Sequence, residues 1–125
     1  MTKTKIAAAQ LIRVFLNKEK TVKKACEAII EAGKKGAKVI VFPEAFISGY
    51  PDWVWLIPNS KGADLNALYI DLVENAISVP DNSTDQLCEA AKQGGISVVM
   101  GMHERNTETS GTSLYNSLLF ISDKG

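Results

Sequence analysis

Two short aliphatic runs bracket one amphipathic segment in the first third of the chain, and this pattern leaves few folds open. Ile6 to Ala9 reads as a first strand and Val39 to Phe42 as a second. Between them, from about Lys18 to Lys34, the apolar residues Val22, Ala25, Cys26, Ile29 and Ile30 recur at the spacing that gathers them on one helix face, with Gly33 and Gly36 as stop positions. A strand, a helix and a strand in this order make a crossover that is right-handed in nearly all proteins, so the two strands lie parallel in one sheet. Unbroken apolar runs further predict strands buried on both faces.

The second run ends abruptly at Pro43 and Glu44. Proline has no N–H to donate and stops further pairing, and Gly49-Tyr50-Pro51 turns the chain again a few residues later. Ligands of open α/β sheets bind just beyond the carboxyl ends of parallel strands, which is where Glu44 falls. One reading makes it a carboxylate that caps neighbouring backbone. The other makes it a general base, shielded from water by Phe46 and the aromatic stretch Asp52-Trp53-Val54-Trp55-Leu56-Ile57 before Pro58. That stretch reads as an ordered loop or short helix. Phe46, Tyr50, Trp53 and Trp55 are candidates either for a substrate pocket wall or for the core.

Downstream, Leu65, Leu68, Leu72 and Val73 predict a helix from about Ala63 to Ala76, ended at Val79-Pro80. A further helix starts at Asn82 or Ser83, whose side chains suit an N-cap, turns Leu87, Ala90 and Ala91 inward, and closes at Gly94-Gly95. Ile96 to Met102 is a third buried strand, Asn106 to Thr112 a polar loop, and Leu114 to Ser122 a fourth strand. No linker interrupts this order, and 125 residues with 46% apolar content suit one α/β domain with one core.

Residues 1 to 40 carry ten basic and three acidic side chains, yet most of the positive charge is lysine on the amphipathic helix, Lys18, Lys20, Lys23, Lys24, Lys34 and Lys35, interspersed with Glu19, Glu27 and Glu31. Without an aromatic or arginine cluster this is a solvated helix face, and no nucleic-acid partner is expected. No apolar run approaches the roughly 18 residues that cross a membrane, and the amino terminus lacks the apolar core of a signal peptide, so a cytoplasmic protein with no membrane partner is expected. Cys26 and Cys88 are the possible thiol nucleophiles, but both fall within helices and read as small hydrophobes, reduced in that compartment. His103 follows the third strand at the same sheet edge as Glu44. Without a Ser, Cys or metal partner at suitable spacing it is not assigned as a base, and a Glu104 to Arg105 charge pair is expected to close that strand end. His103-Glu104-Arg105-Asn106 lacks the second histidine of a zinc helix, so no metal is expected. Gly33, Gly36, Gly94 and Gly95 follow helices and precede strands, and form no phosphate loop.

Gly36, Val39, Ile40, Phe42, Glu44, Ile47 and Gly49-Tyr50-Pro51 together resemble the first signature of the nitrilase family of carbon-nitrogen hydrolases. The likeness continues through Ile6 to Gln10, Cys88 to Lys92, Val98 to Gly101 with Glu104-Arg105, and Leu114 to Ser117. Gly49 to Trp55 resembles the nitrilase branch more than the amidase or carbamoylase branches. The resemblance implies a four-layer α-β-β-α sandwich and a catalytic Glu, Lys and Cys, with Glu44 matching the Glu. The Lys of a His-Arg-Lys segment and the Cys of a Cys-Trp-Glu segment are absent from residues 1–125, and Lys124 is not assigned that role. Residues 1–125 are accordingly expected to be an incomplete domain lacking its carboxy-terminal part, inactive alone.

For the complete enzyme the resemblance implies hydrolysis of a small nitrile to a carboxylic acid and ammonia through a Cys thioimidate and thioester. It needs no cofactor and is expected to form a homo-oligomer. An amidase or a cyanide-degrading enzyme of the same family is the alternative. A non-catalytic interaction module, whose unfinished sheet pairs with another chain, is the alternative of another class.

Overall fold

The computed structural model describes residues 2–125. Its elements run β1 (Ile6–Ala8), α1 (Lys18–Lys34), β2 (Val39–Val41), the short α2 (Trp53–Leu56), a 3-10 turn at Asn59–Lys61, α3 (Gly62–Glu74), α4 (Asn82–Gly94), β3 (Ser97–Arg105) and β4 (Leu114–Ile121). The strands form one sheet in the order β1-β2-β3-β4. The first three are parallel, with Ile6 beside Val39 and Val39 beside Ser97, and β4 returns antiparallel along the whole of β3, from Val98–Ile121 to Arg105–Leu114.

α1 begins where the Asn17 side chain accepts the Lys20 N–H, and it buries Thr21, Val22, Ala25, Ile29 and Ala32. Cys26 and Ile30, expected on the same stripe, lie at its half-buried margin. The N-cap of α4 is Asp81, one residue before the expected cap. Asp81 accepts the Thr84 N–H while Thr84 reciprocates, a capping box that satisfies two helix-end donors at once. The two helices meet at Gly33, where a Cβ would stand 2.2 Å from the Gly94 carbonyl oxygen. Gly33 is thus a contact residue rather than a stop, and the stop belongs to Gly36, whose φ is +83°.

α1 and α4 lie against one face of the sheet. Side chains alternate between the faces of a strand, and Ile40, Val98, Met100, Met102 and Ile121 join the helices in the core. The opposite face carries Ile6, Val41, Leu118 and Phe120, exposed to 64%, 40%, 56% and 72%. This corrects the expectation that the first two strands are buried on both sides: among the described residues, only one side has a helical layer. β3 also continues past Met102 to Arg105, because β4 supplies pairing partners that far. No helix among the described residues is long and apolar enough to cross a membrane.

Candidate active site

On the open face the chain itself covers one place. After β2, the Phe42 N–H donates to the Val99 carbonyl at 2.9 Å, and the chain then lifts off β3 and returns, with the Ile47 N–H on the Gly101 carbonyl at 3.1 Å. The His103 N–H closes the return by donating to the Ile47 carbonyl at 3.2 Å. Residues 43–46 therefore form an arch with both feet on β3. Gly101 lies directly beneath it: a Cβ there would come within 2.0 Å of the Pro43 carbonyl oxygen and 2.9 Å of the Glu44 Cα. Ala45 holds a φ of +47° and Ser48 one of +83°, the tight curvature that brings the chain back down. Ser48, buried, donates its hydroxyl to the Asn75 carbonyl at 2.5 Å and ties the arch to the end of α3.

Glu44 stands exposed on the arch. Its Oε1 accepts a hydrogen bond from Asn116 Nδ2 at 2.5 Å. Asn116 is the register partner of His103 across β3 and β4, so Glu44, His103 and Asn116 come together from a loop and two strands. His103 is 8% exposed and its Nδ1 is sealed from solvent without a hydrogen-bond partner. Burial pulls its pKa below the ordinary histidine value, and the negative charge of Glu44 offsets part of that. The residue is held neutral at pH 7.

The sign of the linkage follows. The unfolded histidine binds a proton near pH 6.5 while the folded one resists it, so stability is fully present above that pH and is lost as the pH falls through the folded value. Urea midpoints measured at decreasing pH should decline through this window in the wild type. His103→Gln should flatten that part of the curve, and an unchanged slope would reject burial of His103 as its cause.

Other expected site residues go elsewhere. Phe46 is 1% exposed and packs on Phe42 with ring centroids 5.1 Å apart, so it anchors the arch from the core side and offers no open pocket wall. Tyr50 is 41% exposed, Trp55 is 79% exposed, and Trp53 is half-buried with its Nε1 enclosed and unpartnered. The water-excluding aromatic surroundings expected around Glu44 are not closed by the described residues. Glu104 and Arg105 do not pair, because successive strand residues point to opposite faces: Glu104 accepts the Ser117 hydroxyl at 2.8 Å, and Arg105 Nε donates to the Gly111 carbonyl at 2.5 Å.

Cys26 places its thiol on the Gln86 carbonyl at 3.5 Å, and burial pushes its pKa up, away from a reactive thiolate. No group of three or more His, Cys, Asp or Glu among the described residues is arranged to hold a metal. A cleft of about 490 Å³ lies between β1 and α1, beside Ala9, Ala28 and Glu31, and Glu44 does not line it.

Asn116 was not singled out for a role by the residue pattern. Its signal lay in β4, where Leu114, Leu118 and Phe120 share its face and an amide interrupts an otherwise apolar row.

The family model for carbon-nitrogen hydrolases matches residues 5–125. The chain is 40% identical over 121 residues to an arylacetonitrilase of Macrophomina phaseolina (strain MS6), covering 97% of this chain and 33% of that protein. It is 35% identical over 127 residues to an aliphatic nitrilase of Rhodococcus rhodochrous, covering 98% of this chain and 30% of that protein. The chain thus spans about a third of the length of these curated relatives. Among solved structures, the C. elegans NitFhit protein superimposes with a TM-score of 0.63 at 19% identity over 95% of this chain and 24% of that one. That likeness concerns the fold: one mixed sheet with its helices, as in the α-β-β-α sandwich.

Proposed function

The chain belongs to the carbon-nitrogen hydrolase family, and on that premise we propose that it is the amino-terminal part of a nitrilase, with Glu44 as general base. The supporting observation is the Glu44 carboxylate itself, raised on an arch at the carboxyl end of a parallel strand and held by one hydrogen bond. The names of the relatives, arylacetonitrilase and aliphatic nitrilase, support a nitrile as the substrate class.

In this reading a cysteine thiol adds to the nitrile carbon while Glu44 takes its proton and passes it to the nitrile nitrogen, giving a thioimidate and a carboxylate ready to act again. Water adds to that carbon, the C–N bond breaks, and ammonia leaves a thioester. A second water, deprotonated by Glu44, releases the carboxylic acid and regenerates the thiol, so each nitrile consumes two waters. A lysine would stabilise the negative charge on the intermediates. Neither Cys26 nor Cys88 suits the nucleophile's part, since both lie on helices packed against the sheet face opposite His103 and the arch. The cysteine, and with it the lysine that the family resemblance implies, is assigned to a part of the protein outside these residues.

Ammonia release tests this, measured on nitriles, amides and cyanide with the present chain and with the complete protein that contains it. Nitrile turnover by the complete protein and none by the chain alone is the expected result. Turnover by the chain alone would overturn the division of the site, and a preference for amides or cyanide would move the enzyme to another branch. The open apolar face also favours a second reading, an interaction module that binds another chain through its sheet. A complete protein silent on all three substrate classes would support it.

A further inference from the structure

Glu44 makes its hydrogen bond from an exposed arch, and the group that meets it comes from the most extensively paired part of the sheet. β3 and β4 are in register over eight residue pairs, and Asn116 stands within them opposite His103. Directly opposed side chains on one face lie about 5 Å apart between Cβ atoms, so the imidazole and the amide are neighbours. His103 does not itself hold the carboxylate: its Nδ1 has no hydrogen-bond partner, whereas Asn116 Nδ2 reaches Glu44 Oε1. An amide in this place has a particular chemistry. It donates without carrying a charge, it does not titrate, and it cannot take the proton the base is meant to accept.

We propose that Asn116 is a positioning residue for Glu44: by occupying Oε1 it fixes the plane of the carboxylate and leaves Oε2 as the oxygen that receives the proton. This rests on the reading of Glu44 as general base. Misplacing a reacting group by about 1 Å costs on the order of a hundredfold in rate, which sets the size of the effect.

The test uses three variants of the complete protein. Asn116→Asp keeps the shape but replaces a donor with an acceptor, so kcat should fall on the order of 10- to 100-fold at neutral pH, with KM within about twofold. The deficit should shrink as the pH is lowered, because the introduced carboxyl regains a proton to donate. Asn116→Leu should lose kcat with no recovery in acid. Both variants within about twofold of the wild-type kcat, or identical pH profiles for the two, would overturn the proposal.

A second measurement is made by NMR on the complete protein. The bonded side-chain amide proton of Asn116 should lie downfield and return to an ordinary position in Glu44→Ala; an ordinary position in the wild type would overturn the contact. Full activity in Glu44→Gln would instead remove the base assignment, whereas an inactive Glu44→Gln beside fully active Asn116 variants would remove only the positioning role.

Discussion

Glu44→Gln in the complete protein should reduce ammonia release from nitriles by on the order of a hundredfold to ten-thousandfold, the contribution of a positioned acid–base group, or more. The substitution is chosen because it separates chemistry from architecture. Glutamine keeps the volume of the side chain and retains a carbonyl oxygen that can accept the Asn116 N–H, so the one hydrogen bond recorded for this carboxylate survives. Glu44 is exposed and forms no ion pair among the described residues, so the urea midpoint should stay near that of the wild type. Loss of turnover with an unchanged midpoint is the expected pair of results. Substantial residual turnover would reject Glu44 as the base.

The largest structural effect is expected at Gly101→Ala. The new Cβ would meet the Pro43 carbonyl oxygen at 2.0 Å and the Pro43 carbonyl carbon at 2.8 Å, and both are backbone atoms with no rotamer to yield. Either the arch lifts or β3 bends, at a cost on the order of 1–3 kcal/mol or more. Lifting the arch also displaces the residue it carries, so kcat should fall on the order of a hundredfold in the folded fraction. Gly33→Ala provides the contrast. It creates a similar clash, 2.2 Å from the Gly94 carbonyl oxygen, but between α1 and α4 on the far side of the sheet. It should lower the denaturation midpoint and leave the kcat of the folded fraction intact. Wild-type stability in Gly101→Ala would show that the arch does not rest on β3 as described.

How much of this was legible beforehand depends on the kind of signal. Helix periodicity carried far, because the stripe of Val22, Ala25 and Ile29 has few alternatives, and α1 spans the expected residues Lys18–Lys34. The position of Glu44 past a strand end followed from the aliphatic run Val39 to Phe42 and the proline that stops it. Burial of β1 and β2 was misjudged because an apolar run reports that a strand's two faces are suited to cover, not that the same stretch of chain supplies both covers: Val41 remains 40% exposed.

Phe46 offered equal grounds for pocket and core, and only the return of the arch to Gly101 sends its ring inward beside Phe42. The Glu104 to Arg105 pair failed on the alternation of a strand that extends three residues beyond its apolar stretch. Asn116 and Glu44 are 72 residues apart, and their meeting depends on the β3–β4 register, which composition and spacing do not encode.

The arch stands on β3 through main-chain contacts at both feet, from the Phe42, Ile47 and His103 amides to the carbonyls of Val99, Gly101 and Ile47. Amides and carbonyls are the same whatever side chains surround them. Replacing the exposed aromatics that follow, Tyr50 and Trp55, therefore leaves the contacts that carry Glu44 in place. The position that does bear on those contacts is Gly101 beneath the arch, where any side chain would meet the Pro43 main chain.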